Sequence, residues 1–288
     1  MKYQFIEKQQ KRYSVRGMCA VLGITRSSYY AWKKRKPSQR ELKNRVLIEL
    51  IRKIYKLSRQ AYGSPRVYAQ LRKQGYGCNK KRIARLMHDD GLQGRRKYRR
   101  VITTNSKHSL PVAPNMLNRE FQAEKPNEKW VADITYIPTE EGWLYMAGVL
   151  DLYSRKIVGW DMSSQIDAKL VENALRMALY QRQPGKGLLH HSDRGSQYAS
   201  HQIWNILSAN HIQVSMSGKG DCYDNAVMES FFSTLKNEWV HHQKYQTRPQ
   251  ARTDIFNYIE GFYNTVRLHS TLGYLSPAEF EANYQKSP

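Results

Sequence analysis

The chain has 288 residues, with 47 Lys and Arg against 24 Asp and Glu, and its formal net charge is +23. This length predicts two domains, and a 40% hydrophobic content with 20 Tyr and 6 Trp argues against a wholly disordered chain. No apolar run approaches the roughly 18 residues that span a bilayer, and three well-separated cysteines do not predict a disulfide framework. We therefore expect a soluble, cytoplasmic protein with no membrane partner.

The positive charge is concentrated in the first hundred residues. Residues 1–100 contain 29 Lys and Arg but only 5 Asp and Glu, whereas residues 101–288 contain 18 and 19. This asymmetry predicts a polyanionic partner, either nucleic acid or an anionic membrane surface. A merely solvated basic surface is the alternative, and we favour nucleic acid.

Residues 14–36 have the pattern of two short helices around a tight turn. Ser14 is placed to cap the first helix, and after a turn at Gly23, Thr25 is placed to cap a second helix. A helix-turn-helix has this layout because the start of its second helix reaches base edges in the major groove; the alternative is an ordinary helical hairpin. The expected apolar face of the first helix consists of Met18, Val21 and Leu22. The candidate DNA contacts are Arg26, Ser27 and Ser28.

Residues 40–91 predict a second helical unit. Ser64 and Pro65 form a typical helix start, and Asn79 is placed to cap the following helix. We interpret residues 1–100 as a basic, all-helical DNA-binding region and the polar, proline-containing residues 101–124 as a linker. Apolar residues recur at helical spacing along 40–58 at Val46, Leu47, Leu50, Ile51 and Ile54. The candidate DNA contacts in this unit are Lys80, Lys81, Arg82 and Arg85.

Residues 125–288 alternate between strand and helix patterns. The order β-β-β-α-β-α-β-α is that of the ribonuclease-H-like fold. We therefore expect an α/β domain with a mixed five-stranded sheet, flanking helices and a C-terminal helical tail. The strands are predicted at 130–137, 143–152, 156–163, 187–193 and 212–217. The helices are predicted at 167–181, 197–210 and 224–239.

Three carboxylates stand out in this domain. Asp133 lies in an otherwise apolar and aromatic strand, where an unpaired carboxylate is costly, and Asp193 follows a buried strand. Glu229 lies on a helix whose expected cap is Asp224 or Asn225, away from the apolar stripe of that helix. Three close carboxylates repel one another unless protons or cations lie among them. Carboxylate oxygens are suitable ligands for Mg²⁺ or Mn²⁺. Two such ions together stabilise the in-line displacement of a phosphoryl group. The alternative is that these acids are caps and surface residues.

The spacing of these acids and the sequence around them carry a family resemblance. Thirty-five residues separate Asp193 from Glu229, and Lys236 follows seven residues later. This spacing is similar to the D-x(35)-E pattern of the transposase and retroviral-integrase superfamily. Residues 125–280 resemble the second-frame protein (OrfB) of the insertion-sequence-three family, and the basic helical half resembles its N-terminal region. The matching segments are WVADITYI, VLDLYSRKIVGW, HSDRGSQY, DNAVMESFFSTLKNE and YNTVRLHSTLGYLSP.

The resemblance implies a DDE transposase. Asp133, Asp193 and Glu229 would be its catalytic and metal-binding triad, with two Mg²⁺ ions, or Mn²⁺ in their place, and Lys236 would contact DNA near the reacting end. The enzyme would bind the terminal inverted repeats of an insertion sequence, nick the ends with water and join the freed 3′-hydroxyl to target DNA. Its expected partners are DNA, an upstream OrfA-type protein, free or as a frameshift fusion, and further copies of itself on DNA. Binding to DNA would place it at the bacterial nucleoid.

Two other functions stay open from the sequence. One is a DNA-binding regulator of transposition without catalysis of its own, and the other is a structure-specific nuclease. The sequence contains neither a Cys and His set with zinc spacing nor a Walker A loop.

Several polar residues near the motifs have competing interpretations. His191 is a candidate to assist catalysis or touch the substrate. Arg267 and His269 are equally compatible with a phosphate contact and with packing of the C-terminal tail. The remaining acids are expected in plain structural roles. Asp151 and Asp161 are expected in a hairpin or at the surface, and Asp221 and Asp224 in turns and caps.

Overall fold

The computed structural model describes residues 1–95, 112–218 and 221–285. Contacts divide the chain into two compact units, Met1–Lys53 and Ile54–Pro288. None of the described helices combines the length and the apolar character that crossing a bilayer requires.

The first unit is a small bundle of short helices. It contains α1 (Lys2–Gln9), α2 (Val15–Val21), α3 (Arg26–Lys34) and the first part of α4 (Gln39–Leu57). Its core consists of Ile6, Met18, Cys19 and Tyr29.

Local hydrogen bonds explain where α2 and α3 begin. The Ser14 hydroxyl accepts a bond from the Gly17 N–H at 3.1 Å, and the Thr25 hydroxyl accepts one from the Ser28 N–H at 3.1 Å. Gly23 connects the helices with a φ of +62°, which favours glycine. Both predicted caps and the predicted turn are confirmed. The prediction for Val21 is wrong, because its side chain is 87% exposed and Cys19 is buried in its place.

A second helix pair begins the larger unit. α5 (Ser64–Lys73) starts one residue earlier than expected, because Gly63 rather than Ser64 occupies the cap position. α6 (Lys80–Asp89) has the predicted cap, since the Asn79 side chain accepts a bond from the Lys81 N–H at 2.8 Å. On α4, Ile51 is fully buried as expected, but Val46 is 61% exposed and does not belong to the core.

A mixed five-stranded sheet forms the centre of the larger unit, as predicted. Its strand order is β3-β2-β1-β4-β5. β1, β2 and β3 pair antiparallel, whereas β4 pairs parallel with both β1 and β5. The strands are β1 (Lys129–Thr139), β2 (Gly142–Asp151), β3 (Ile157–Ser163), β4 (Leu189–Ser192) and β5 (Gln213–Met216).

Helices cover both faces of the sheet. α7 (Ala168–Arg182) and α8 (His201–Ala209) form one apolar core with Trp130 and Ala132 of β1. α8 begins four residues later than expected, after a cap position at Ser200.

The other face of the sheet packs against α9 (Ala226–Glu238). A Cβ atom on Gly148 of β2 would lie 2.5 Å from Cε of Met228, which shows how closely α9 approaches. The chain then continues through α10 (Arg248–Tyr258) and α11 (Pro277–Gln285). Single helical turns occur at Cys222–Asn225, Val240–His242, Ile259–Tyr263 and Ser270–Leu272.

The predicted linker over residues 101–124 is described only in its second part, since residues 96–111 lie outside the described ranges. Residues 112–124 contain no helix or strand, yet Ala113 and Leu117 are buried. The N–H groups of Met116 and Leu117 donate to the Ser215 hydroxyl at 2.9 and 3.1 Å. This stretch therefore packs on β5.

Candidate active site

Two of the three acids stand side by side at the end of the parallel strands. β1 and β4 pair with Ala132 opposite Ser192, so Asp133 and Asp193 follow at neighbouring positions. β4 ends at Ser192, whereas β1 continues to Thr139. The Asp193 carboxylate accepts a bond from the Gly195 N–H at 2.9 Å, which holds the turn after β4. The sheet thus brings together two residues that are sixty positions apart.

The third acid is placed by the start of α9. The Asn225 side-chain amide donates to the carbonyl oxygen of Ala132 at 2.9 Å, which ties the helix start to the strand just before Asp133. Glu229 lies in the first turn of α9, partly buried. Met228, Phe231 and Leu235 of this helix are buried.

The carboxylates of Asp193 and Glu229 both act electrostatically on Asp133. Burial raises the pKa of Asp133 well above its usual value, and the carboxylates of Asp193 and then Glu229 raise it further. A bond from the Ile134 N–H at 2.8 Å and the charge of Lys236 act in the opposite direction without offsetting this increase. Asp133 therefore resists ionisation.

Lys236 is the cationic neighbour of this site. Its ammonium lies 4.1 Å from the centre of the Tyr136 ring, a cation–π geometry. Burial lowers the pKa of Lys236, and the nearby Asp133 carboxylate partly counteracts that effect. Tyr136 in turn packs edge-on against Trp143, with ring centres 4.9 Å apart.

The donor set fits a hard divalent cation. All three acids supply carboxylate oxygens, and their mutual repulsion would decrease if a cation bound among them. Among the described residues, no three His, Cys, Asp or Glu side chains form a ready-made ligand set for a metal ion. The fit therefore rests on the chemistry of the donors and on the repulsion that raises the pKa of Asp133.

The contacts of His191 lead away from the acids. Its Nδ1 lies 2.8 Å from the Ser215 hydroxyl and its Nε2 lies 3.2 Å from the Ser217 hydroxyl. Burial lowers its pKa to about 4, although Asp224 favours the charged form. Both ring nitrogens thus contact serine hydroxyls on or just after β5. These contacts do not support an assisting role in catalysis.

Arg267 and His269 pack the C-terminal segment. Arg267 is 3% exposed, its guanidinium binds both oxygens of Glu238 at 2.7 Å, and it lies 2.9 Å from Nε2 of His269. Of the two interpretations that the sequence leaves open, the structure supports packing.

Two acids have more contacts than the sequence suggests. Asp151 is fully buried rather than at the surface, and it accepts bonds from the N–H groups of Asn127 and Tyr153 and from Arg182. The Asp224 carboxylate accepts bonds from the side chains of Asn115 and Arg119, each at 2.9 Å.

The other two acids have simpler contacts. Asp221 caps the turn before α9 as expected, through the Tyr223 N–H at 3.2 Å. Asp161 is a partly buried acid bonded to Asn173 at 2.9 Å.

The predicted DNA contacts lie at the starts of two helices. Arg26, Ser27 and Ser28 are exposed in the first turn of α3. On α6, Lys80, Lys81 and Arg85 are exposed, while Arg82 is partly buried.

Sequence reasoning missed Asn225 as a contributor to the site. It predicts a cap there, yet the side chain makes no cap bond and reaches β1 instead. It also gave no role to Glu238, although the order DNAVMESFFSTLKNE places this acid at the end of the same helix.

Known proteins match this chain over nearly its whole length. Family models described as an integrase core domain match residues 123–222 and 210–277, and a model described as an HTH-like domain matches residues 41–100. The insertion element IS600 uncharacterized 31 kDa protein of Shigella sonnei is 44% identical, over 93% of this chain and 99% of its own. Transposase InsF for insertion sequence IS3A of Escherichia coli (strain K12) is 42% identical over 98% of both chains.

Two solved structures are similar to parts of this chain at TM-scores below 0.5. A simian T-cell lymphotropic virus intasome in complex with PP2A regulatory subunit B56 gamma has a TM-score of 0.47 and 13% identity, covering 82% of this chain and 74% of that chain. The HTLV-2 integrase catalytic core domain in complex with magnesium (trimeric form) has a TM-score of 0.44 and 13% identity, covering 55% of this chain and 98% of that chain.

Proposed function

This chain belongs to the insertion-sequence-three (IS3) family of transposases, and from that premise we propose which of its residues carry out DNA transposition. It is a DDE transposase, a polynucleotidyl transferase that acts on DNA and uses a divalent metal ion. We assign Asp133, Asp193 and Glu229 as its catalytic and metal-binding triad, holding two Mg²⁺ ions or Mn²⁺ in their place. The observation that carries this assignment is the register of β1 and β4, which pairs Ala132 with Ser192 and so places Asp133 beside Asp193, next to the start of α9 that Asn225 ties to β1. The raised pKa of Asp133 is consistent with it.

Each residue of the site has a distinct task in the proposal. The bound metal ions would supply charge stabilisation to the attacking and leaving oxygens of a phosphodiester. β1 and the turn after β4 hold Asp133 and Asp193 side by side, while α9 brings Glu229 to them. Lys236 binds a phosphate oxygen of the DNA end, since its ammonium already lies beside the acids.

The helical regions bind the DNA. Two sets of residues contact the terminal inverted repeats: Arg26, Ser27 and Ser28 at the start of α3, and Lys80, Lys81, Arg82 and Arg85 on α6. The same site then joins the cleaved end to target DNA. Two ends must be brought together, so the active complex contains at least two copies of the chain, and an upstream OrfA-type protein, free or fused by a frameshift, is a further partner.

The deciding experiment combines the purified chain with labelled duplexes that carry the DNA ends flanking its gene, in Mg²⁺ or Mn²⁺. We expect a nick at the element boundary and joined-strand products, both lost in Glu229→Gln because that variant removes one carboxylate from the metal site. Glu124→Gln is the matched control, since Glu124 is an exposed acid outside the site.

The other outcomes separate the competing functions. Binding of the ends without a nick in any metal would support a regulator. Cleavage that depends on DNA branching rather than on the end sequence would support a structure-specific nuclease. Products that persist in Glu229→Gln would contradict the assigned triad.

A further inference from the structure

The last residue of α9 is a buried carboxylate with several donors. Arg267 donates to both oxygens of Glu238 at 2.7 Å, Arg66 donates to Oε1 at 3.1 Å, and the Tyr258 hydroxyl donates to Oε2 at 3.2 Å. Burial alone raises the pKa of Glu238, but the bonds and charge of Arg267 outweigh this effect and hold it below its usual value. Glu238 is therefore a buried anion that depends on its arginines.

Two further arginines meet the same end of α9. The Arg59 guanidinium lies 4.4 Å from the centre of the Trp239 ring and donates to the carbonyl oxygen of Asn257 at 3.1 Å. Arg95 lies 5.4 Å from the same ring and donates to the carbonyl oxygen of Glu238. We call Arg59, Arg66 and Arg95, together with Glu238 and Trp239, the arginine clamp.

The arginine clamp holds one end of the helix that carries part of the active site. Glu238 is nine residues beyond Glu229, about 13 Å along the helix axis at roughly 1.5 Å per residue. The other end of α9 is tied to β1 by Asn225. α9 is thus held at both ends, by Asn225 at its start and by the clamp at its last residue, and Glu229 and Lys236 lie between these two contacts.

Three of the clamp residues come from the basic half of the chain. Arg66 lies on α5, and Arg59 and Arg95 flank the α5–α6 pair. These guanidinium groups bind protein acceptors and an aromatic ring rather than extending into solvent. The α5–α6 pair is thereby joined to the catalytic helix, a connection that its basic composition does not suggest.

We propose that Glu238 and Arg66 are positioning residues that set the orientation of α9, so that a working metal site requires the α5–α6 pair as part of the catalytic unit. This inference rests on the proposed triad. It distinguishes Arg66 from the DNA-binding lysines of α6, because Arg66 acts through Glu238 and not through a phosphate.

The test measures metal binding separately from activity. In Arg66→Gln we expect Mn²⁺ affinity, followed by electron paramagnetic resonance without DNA, and kcat at saturating DNA to fall by about 10-fold, the usual effect of losing a group that orients a metal ligand. The Kd for DNA should stay unchanged. Arg66→Lys should recover part of the loss, because the ammonium keeps the positive charge near Glu238.

A matched control separates positioning from general stability. Glu281 of α11 also forms a buried ion-pair cluster, and its partners Arg182 and Lys156 lie at the end of α7 and just before β3 rather than on α9. Glu281→Gln should lower the unfolding temperature and leave Mn²⁺ affinity unchanged. Glu238→Gln serves as a second clamp variant and should weaken Mn²⁺ binding at least as much as Arg66→Gln.

The outcomes are decisive in both directions. Wild-type Mn²⁺ affinity and kcat in Arg66→Gln would overturn the inference, as would an equal loss of Mn²⁺ affinity in Glu281→Gln. If Glu229→Gln itself leaves Mn²⁺ binding intact, the triad assignment fails, and that failure is distinguishable from a failure of the clamp alone.

Discussion

The carboxylate of Asp133 lies where burial and two neighbouring carboxylates all oppose its ionisation. The folded chain without metal therefore binds a proton at Asp133 more tightly than the unfolded chain does. By linkage, this residue lowers folding stability as the pH rises above its unfolded pKa of about 3.9. A site built to attract cations is a destabilising element until the cations bind.

Replacing this acid should stabilise the metal-free protein. We expect Asp133→Asn to raise the unfolding temperature at neutral pH by about 2–4 °C for each kcal/mol of repulsion removed, while it abolishes DNA cleavage. Calorimetry in chelator measures the temperature. The difference from wild type should vanish below about pH 4, where the carboxyl is protonated in both states. A lower unfolding temperature in Asp133→Asn at neutral pH would contradict this account.

At the residue scale, the sequence predicts the acids better than it predicts what holds them. Asp133 could be found because it lies within an apolar strand, and Asp193 because it directly follows one; both patterns are visible within a few residues of sequence. The bond from Asn225 to Ala132 joins positions 93 residues apart, so no local pattern indicates it. Arg66 and Arg267, the partners of Glu238, also lie far from it in the sequence, so no local pattern indicates these contacts either.

At the scale of elements, β3 and α7 pack closely at Gly159. A Cβ atom on Gly159 would lie 2.2 Å from the carbonyl oxygen of Ala174 and 2.7 Å from the amide nitrogen of Ala178. Both are backbone atoms of α7, so a side chain at Gly159 must push the whole helix away from the sheet. At Gly148 the nearest atom is instead the flexible end of Met228.

This difference predicts a graded series of alanine variants. Gly159→Ala should destabilise the protein by about 3 kcal/mol or more, at or above the upper end of typical overpacking costs. Gly148→Ala should cost less because Met228 adapts by rotation, and Gly185→Ala should be near neutral because nothing lies within 4 Å of its Cβ position. Urea unfolding measures all three. Equal effects at Gly159 and Gly185 would exclude this packing argument.

Helices and strands with a strong period or a side-chain cap were predictable, and those with neither were not. α7 and the three antiparallel strands follow their expected spans within two residues, because each buries a continuous apolar face. α1 was not predicted, since its eight residues have no side-chain cap and a single buried residue, Ile6. Residues 112–124 have no period at all, so their packing against β5 is determined by tertiary contacts alone.

At the scale of the whole molecule, the large positive charge has two uses. Lys80, Lys81 and Arg85 on α6 are exposed, whereas the side chains of Arg59, Arg66 and Arg95 contact the protein itself. A net charge computed from the sequence counts both groups equally. Only the first group is available to displace counterions from DNA.

Salt dependence should separate these two groups. Log affinity for DNA falls linearly with log salt, with a slope of about 0.9 for each phosphate neutralised. We expect the triple variant Lys80→Ala, Lys81→Ala, Arg85→Ala to reduce this slope by about 2–3, and Arg66→Gln to leave it unchanged. Fluorescence anisotropy between low and physiological salt measures the slope. A wild-type slope in the triple variant would rule out α6 as a phosphate-binding element.

The position of the contact boundary has a practical consequence for building chimaeras of related transposases. Composition suggests exchanging residues 1–100 as one recognition cassette, but such a splice would replace Arg59, Arg66 and Arg95 while keeping Glu238 and Trp239 from the recipient. The compact units instead meet between Lys53 and Ile54. A graft at that junction would transfer α1, α2 and α3 with their own core and leave the recipient's arginines matched to its own catalytic helix.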